Sequence, residues 1–184
     1  MSRLWVTGYR SYELSIFSDQ DPKLKVIQNA LKRKLIEKVE SGTTWIIAGP
    51  QLGTEQWSLE LANELKMDYP ELQTALMFPF SDFGKQWKEE KVEKLALIKA
   101  KVDFFANVSE NPYQNPQQLR NYQNFMLNHT DEALLLYDDE HEGKTKFDLN
   151  AIRSFQEHNS YNVETIDFYD LLEEESMLYE EKDE

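Results

Sequence analysis

The chain has 184 residues, 40% hydrophobic and 29% charged, long enough to bury a substantial core without covalent staples. It contains no cysteine, which excludes disulfides, thiol catalysis and thiolate metal sites. Its 34 acids against 20 bases give a formal charge of −14 and argue against DNA binding, because affinity for nucleic-acid phosphates comes from clustered Lys and Arg.

No apolar run approaches the roughly 20 residues needed to span a bilayer. The opening MSRLWVTGYRSY lacks the apolar region of a signal peptide, so a cytoplasmic protein with no membrane span is expected. Leu4 to Thr7 reads as a short apolar strand, and Gly8-Tyr9-Arg10-Ser11 as the loop at its carboxyl end. Pro22 suits a first helical position. After it Leu24, Ile27, Leu31, Leu35 and Val39 form one helical stripe, stopped by Gly42.

Thr43 to Trp57, TTWIIAGPQLGTEQW, joins a continuously apolar strand to a glycine-bearing turn and a helix with Glu55 in its first turn. A continuous apolar run suits a parallel sheet covered on both faces. Trp57, Leu61 and Leu65 line one side of that helix, and Gln73 to Phe78 is the third strand. The spacing of Trp87, Val92, Leu95 and Ile98 predicts a helix over about 85–101, followed by a short strand at Val102 to Ala106.

Pro116 opens a helix carrying Leu119, Tyr122, Phe125, Met126 and His129, and ALLLY at 133–137 is a fifth strand. A helix is expected from about Phe147 to His158, then a last strand from Asn162 to Asp167. Strand and helix alternate throughout, which predicts an α/β, Rossmann-like, three-layer α/β/α fold with a mostly parallel sheet. The domain is expected over 1–172. The stretch 173–184 holds seven acids and one lysine and is expected as a solvated or frayed acidic tail.

Ligands in such folds sit at the carboxyl ends of the strands, where strand order reverses. Gly49 and Gly53 permit a tight turn and close approach of backbone to ligand, and Thr54 offers a hydroxyl. The amides of the next turn would face a phosphate. Glu55 is a candidate to accept a ribose hydroxyl or act as a base; the bland alternative is a residue that merely suits the helix dipole. Gly8, Tyr9 and Arg10 form a second candidate, with Arg10 for a phosphate and Tyr9 for stacking. Gly143, Lys144 and Thr145 form a third, an anion nest, against a solvated loop as the plain alternative. The string is neither the GxGxxG fingerprint nor a P-loop. The three histidines show no metal-ligand spacing, so no metal is expected, and no residue is assigned a catalytic role.

VTGYRSYELSIF, AGPQLGTEQW, PFSDFGKQW, VSENPYQNPQQLRNYQNFML and ALLLYDDEHEGKTKF together resemble the YpsA family of Firmicutes, in order from about residue 1 to 170. The resemblance implies membership of the SLOG superfamily, whose relatives include the LOG phosphoribohydrolases and the DprA proteins. It implies a Rossmann-like domain that binds a nucleotide or nucleotide-derived, ADP-ribose-like ligand, with a link to cell division or stress physiology in Gram-positive bacteria and a protein partner there. It carries Gly53 and Glu55 over as site residues, with Trp57 just after them and Trp45 and Trp87 as neighbouring aromatics. LOG enzymes share a PGGxGTxxE motif with a catalytic Glu and Arg; GPQLGTEQ and EGKTKF do not complete it. A nucleotide-binding sensor is the leading expectation. The alternative is a hydrolase of a nucleotide N-glycosidic bond with Glu55 as base.

Overall fold

The computed structural model describes residues 2–183. Six strands, β1 (Ser2–Gly8), β2 (Thr43–Ala48), β3 (Gln73–Phe78), β4 (Phe104–Asn107), β5 (Glu132–Leu136) and β6 (Asn162–Ile166), alternate with helices α1 (Pro22–Glu40), α2 (Thr54–Leu65), α3 (Glu89–Lys101), α4 (Gln117–His129), α5 (Thr145–Gln156) and α6 (Phe168–Asp183). All five strand pairings are parallel, in the order β4-β3-β2-β1-β5-β6. The continuous apolar runs explain the sheet. Leu4, Trp5, Val6, Ile46 and Leu134 to Leu136 are all buried beneath helices, each such aliphatic side chain contributing about 1.5–3 kcal/mol.

The chain steps outward from β1 through β2 and β3 to β4, with α1, α2 and α3 as crossovers. It then returns through α4 to place β5 on the other side of β1. With right-handed crossovers this reversal puts α1 to α3 on one face and α4 with α5 on the other; α1 also contacts α2 and α6, and α4 contacts α5. The fold is therefore a Rossmann-like three-layer sandwich. Its strand order reverses between β1 and β5, the place where folds of this kind take their ligands.

Local chemistry sets the boundaries. The Asp21 carboxylate accepts from the Lys23 amide at 2.9 Å and caps α1, with Pro22 in its first turn. Several boundaries differ from the sequence reading, among them the start of β4, at Phe104 rather than Val102. The helix expected from 85 begins at Glu89, because 81–87 is a run of turns in which Lys85 and Trp87 donate to Asp82 and Gly84. The fifth helix starts two residues early, at Thr145.

The stretch expected to be a frayed acidic end is instead helical through Asp183. Its anchor is Glu174, 4% exposed, which accepts from Arg33 Nε at 3.1 Å and Nη2 at 3.0 Å. Phe168 and Leu171 pack on the core beside it. Among the described residues no helix is long and apolar enough to cross a membrane.

Candidate functional site

Three loops meet at this reversal, and short contacts weld two of them together. Thr54 donates to the Tyr9 carbonyl through both its amide (3.1 Å) and its hydroxyl (2.9 Å), and the Ser11 amide donates to the Leu52 carbonyl at 3.0 Å. Arg10 and Gly53 form an antiparallel bridge. This approach is why glycine stands at 53: its φ is +120°, and a Cβ would lie 2.6 Å from both the Ser11 nitrogen and the Tyr9 oxygen. Gly8 is needed for a similar reason, since a Cβ there would meet the Leu136 oxygen at 2.6 Å and Thr54 Oγ1 at 2.8 Å.

These welds change the expected phosphate cradle. The Thr54 amide is bonded to Tyr9 and the Gln56 amide to the Gln51 carbonyl at 3.3 Å, so two of the first three amides of α2 are already used within the chain. The Gly143 loop also holds an anion of its own. Glu13 accepts from the Lys144 amide at 2.9 Å and the Arg10 amide at 2.8 Å, and a Cβ on Gly143 would collide with its carboxylate.

Tyr9, expected to stack on a ligand, is buried between Tyr137 and Phe168, at centroid distances of 5.4 and 5.6 Å. Its hydroxyl donates to the His141 carbonyl at 2.6 Å and accepts from the Asp138 amide at 2.9 Å. Burial, foremost, pushes its phenol up to about 12. Tyr9 thus clamps the loop after β1 to the loop after β5.

What the fold gathers at the centre is a buried polar cluster. Glu55, 4% exposed, turns back from α2 and accepts from the Thr7 hydroxyl at 2.7 Å and the Gln51 amide at 3.1 Å. A Cβ on Gly49 would strike both its Oε1 and the Tyr122 hydroxyl, which places those two oxygens side by side over the glycine. Asp148, 8% exposed, comes from α5 and accepts from Gln123 Nε2 at 2.9 Å.

Burial is the main influence on Asp148 and raises its carboxyl to about 6; Arg10 and the Gln123 hydrogen bond oppose the rise and Glu55 adds to it. The Tyr122 phenol is pushed well above its ordinary value, first by burial and then by the carboxylates of Glu55 and Asp148. Arg10 lies over the cluster, partly exposed, with Nη1 donating to the Gly8 carbonyl at 3.1 Å.

Three buried polar atoms in this cluster, Tyr122 Oη, Thr145 Oγ1 and Arg10 Nε, have no hydrogen-bond partner among the described residues. An unpartnered buried donor costs about 1–3 kcal/mol, so three beside two buried carboxyl groups single this cluster out as the candidate site.

Of the residues singled out from sequence, Arg10, Gly49, Glu55 and Thr145 contribute to this cluster, while Gly8, Tyr9, Gly53 and Thr54 hold its loops together. Lys144 points elsewhere, its Nζ lying 5.8 Å from the centre of the Tyr12 ring. Trp57 is buried in the main core. Trp87 packs edge-on against Phe83 at 5.5 Å in a second core over β3 and α3, and takes no part. Thr7, Tyr122, Gln123 and Asp148 were not anticipated. Their signal was present in α5, where Thr145, Asp148, Leu149 and Ile152 follow the i, i+3, i+4, i+7 spacing of one buried face. An acid on such a stripe is a buried acid.

A cleft of about 930 Å³ lies on the far side of the Ser11–Leu14 turn, between α1, α6 and the loop after β5, lined by Ile16, Val26, His141, Phe168, Leu172 and Tyr179 among others. None of the cluster residues lines it. The cleft carries charges at its rim, Lys23, Lys25, Glu140 and Lys182 among them, but its lining surface is mainly apolar, whereas the charged and unpartnered groups of the cluster are buried, which makes the cluster the candidate site. Among the described residues, no group of three His, Asp or Glu is placed to hold a metal ion.

The chain matches the YpsA model, described as the YspA SLOG family, over residues 4–171. It is 57% identical to a UPF0398 protein of Limosilactobacillus reuteri over the whole of both chains. A UPF0398 protein of Levilactobacillus brevis is 54% identical, with 98% of this chain and 95% of that one covered. One from Ligilactobacillus salivarius is 48% identical over 98% of each.

Proposed function

We propose, from the premise that the chain belongs to the YpsA SLOG family, that it is a binding or sensor protein for a nucleotide or a nucleotide-derived, ADP-ribose-like ligand. The observation that carries the reading is the set of unpartnered buried groups around Glu55 and Asp148 at the reversal of strand order. A role in division or stress physiology through a protein partner rests on the family likeness alone.

Thermal-shift and calorimetric titration with AMP, NAD and ADP-ribose test it. At least one should bind saturably, and Glu55→Gln should weaken that binding tenfold or more while the protein stays folded. Gln at 55 still accepts from the Gln51 amide and can donate to the Thr7 hydroxyl, so the variant probes the ligand more than the fold. Equal binding by parent and variant would remove Glu55 from the site.

A second reading, hydrolysis of an N-glycosidic bond, is favoured by one observation. Two buried carboxyl groups, Glu55 and Asp148, share one cluster in unlike surroundings, and burial raises the Asp148 carboxyl to about 6. Chromatography after incubation with the same three nucleotides decides it: released base or ribose phosphate supports hydrolysis, and none removes it.

A further inference from the structure

The free hydrogen-bonding groups of the cluster are mixed in kind. Tyr122 Oη, Thr145 Oγ1 and Arg10 Nε have donor capacity unused. Asp148 has one oxygen bonded to Gln123 and one free to accept, and each Glu55 oxygen receives a single bond. Two carboxylates and one guanidinium leave the floor of the site with an excess of negative charge. A phosphate only accepts and carries negative charge, so this floor repels it. Adjacent hydroxyl groups both donate and accept, and suit it. Outer donors that a phosphate would use, the Thr54 and Gln56 amides of α2 and the Lys144 amide, are taken by Tyr9, Gln51 and Glu13.

We propose that α5 and α4 supply a subsite for a vicinal diol, the ribose 2′- and 3′-hydroxyls of the ligand, in which Asp148 accepts, Thr145 and Tyr122 complete the bonds, and the phosphates stay outside the floor. Gln123 is a positioning residue that holds one Asp148 oxygen and leaves the other for the sugar. Entry is over Arg10, the partly exposed charged member of the cluster, which gives up one hydrogen bond, from Nη1 to the Gly8 carbonyl, when the side chain swings aside. This assignment rests on the ligand reading above and specifies which part of the ligand goes deepest.

The test is calorimetric titration of the intact chain, Asp148→Asn and Thr145→Val with AMP, NAD and ADP-ribose, and with 2′,3′-dideoxy-AMP, ribose 5-phosphate and inorganic phosphate. Ribose-bearing ligands that bind the parent should bind each variant about tenfold more weakly. Dideoxy-AMP should bind weakly to parent and variants alike, and inorganic phosphate should not compete. Ribose 5-phosphate displacing a bound nucleotide supports the diol directly. If a ribose-bearing ligand binds parent and both variants with equal affinity, or if dideoxy-AMP matches AMP on the parent, the diol subsite falls and the ligand reading survives. If none of the nucleotides binds the parent, both fall.

Discussion

Asp148→Asn should stabilise the protein, and by an amount that depends on pH. The carboxyl is buried among Gln123, Arg10, Glu55 and Tyr122, and its affinity for a proton is raised from the ordinary 3.8 to about 6. An acid whose folded value exceeds its unfolded value favours the folded state when protonated. That benefit is complete below about pH 4 and is lost as pH rises through about 6. At about 1.36 kcal/mol for each pH unit of displacement, the charged carboxylate costs the fold about 3 kcal/mol at neutral pH. The linkage relation makes this cost small near pH 4, about half of the full amount near pH 5 and close to the full amount above pH 7.

An asparagine keeps an oxygen for Gln123 and carries no charge, so it removes this cost. Urea denaturation of parent and variant at several pH values between about 4 and 8 measures the difference. The expected pattern is a gap in unfolding free energy that widens with pH and levels off near neutrality, at about 3 kcal/mol or somewhat less. A variant equal to or less stable than the parent at pH 8, or a gap that does not change with pH, would refute the burial argument. Stability gained where the diol subsite is lost is the usual relation between a functional site and its fold.

Three other substitutions separate groups that serve the site from groups that serve the fold. Tyr122→Phe removes a buried hydroxyl with no partner and should leave stability unchanged or raise it by about 1 kcal/mol in thermal unfolding; a loss of that size would mean the hydroxyl is bonded. Gly53→Ala should cost about 2 kcal/mol or more, because the added methyl meets Ser11 and Tyr9 at a φ of +120°; wild-type stability would break the account of the welded loops. Glu174→Ala should cost about 1–2 kcal/mol in denaturant unfolding through loss of the paired hydrogen bonds to Arg33. No change would mean that Phe168 and Leu171 alone hold α6.

The alternation of strands and helices was legible because the strands are continuous apolar runs, and Gly8, Gly49, Gly53 and Glu55 stood out because glycines and an acid cluster at strand ends. The sequence did not reveal that the chain itself takes donors at both expected anion sites: Tyr9 and Gln51 offer backbone carbonyls, which every residue has, and Glu13 comes from 131 positions away to meet the Lys144 amide. Tyr122 was legible as part of an apolar stripe but not as a polar group, since a tyrosine ring satisfies the stripe whatever its hydroxyl meets. Residues 173–183 looked like a solvated end because seven of the last twelve residues are acids. One buried glutamate facing Arg33 on α1 outweighs that composition, and only the tertiary structure brings those two together.

The most direct measurement is a crystal structure of the intact chain with ADP-ribose. The ligand is expected over Arg10, between the carboxyl ends of β1 and β5, with ribose hydroxyls bonded to Asp148 and Thr145 and the Arg10 side chain displaced. Ligand bound only in the apolar cleft between α1 and α6, with the cluster closed and unchanged, would contradict this placement.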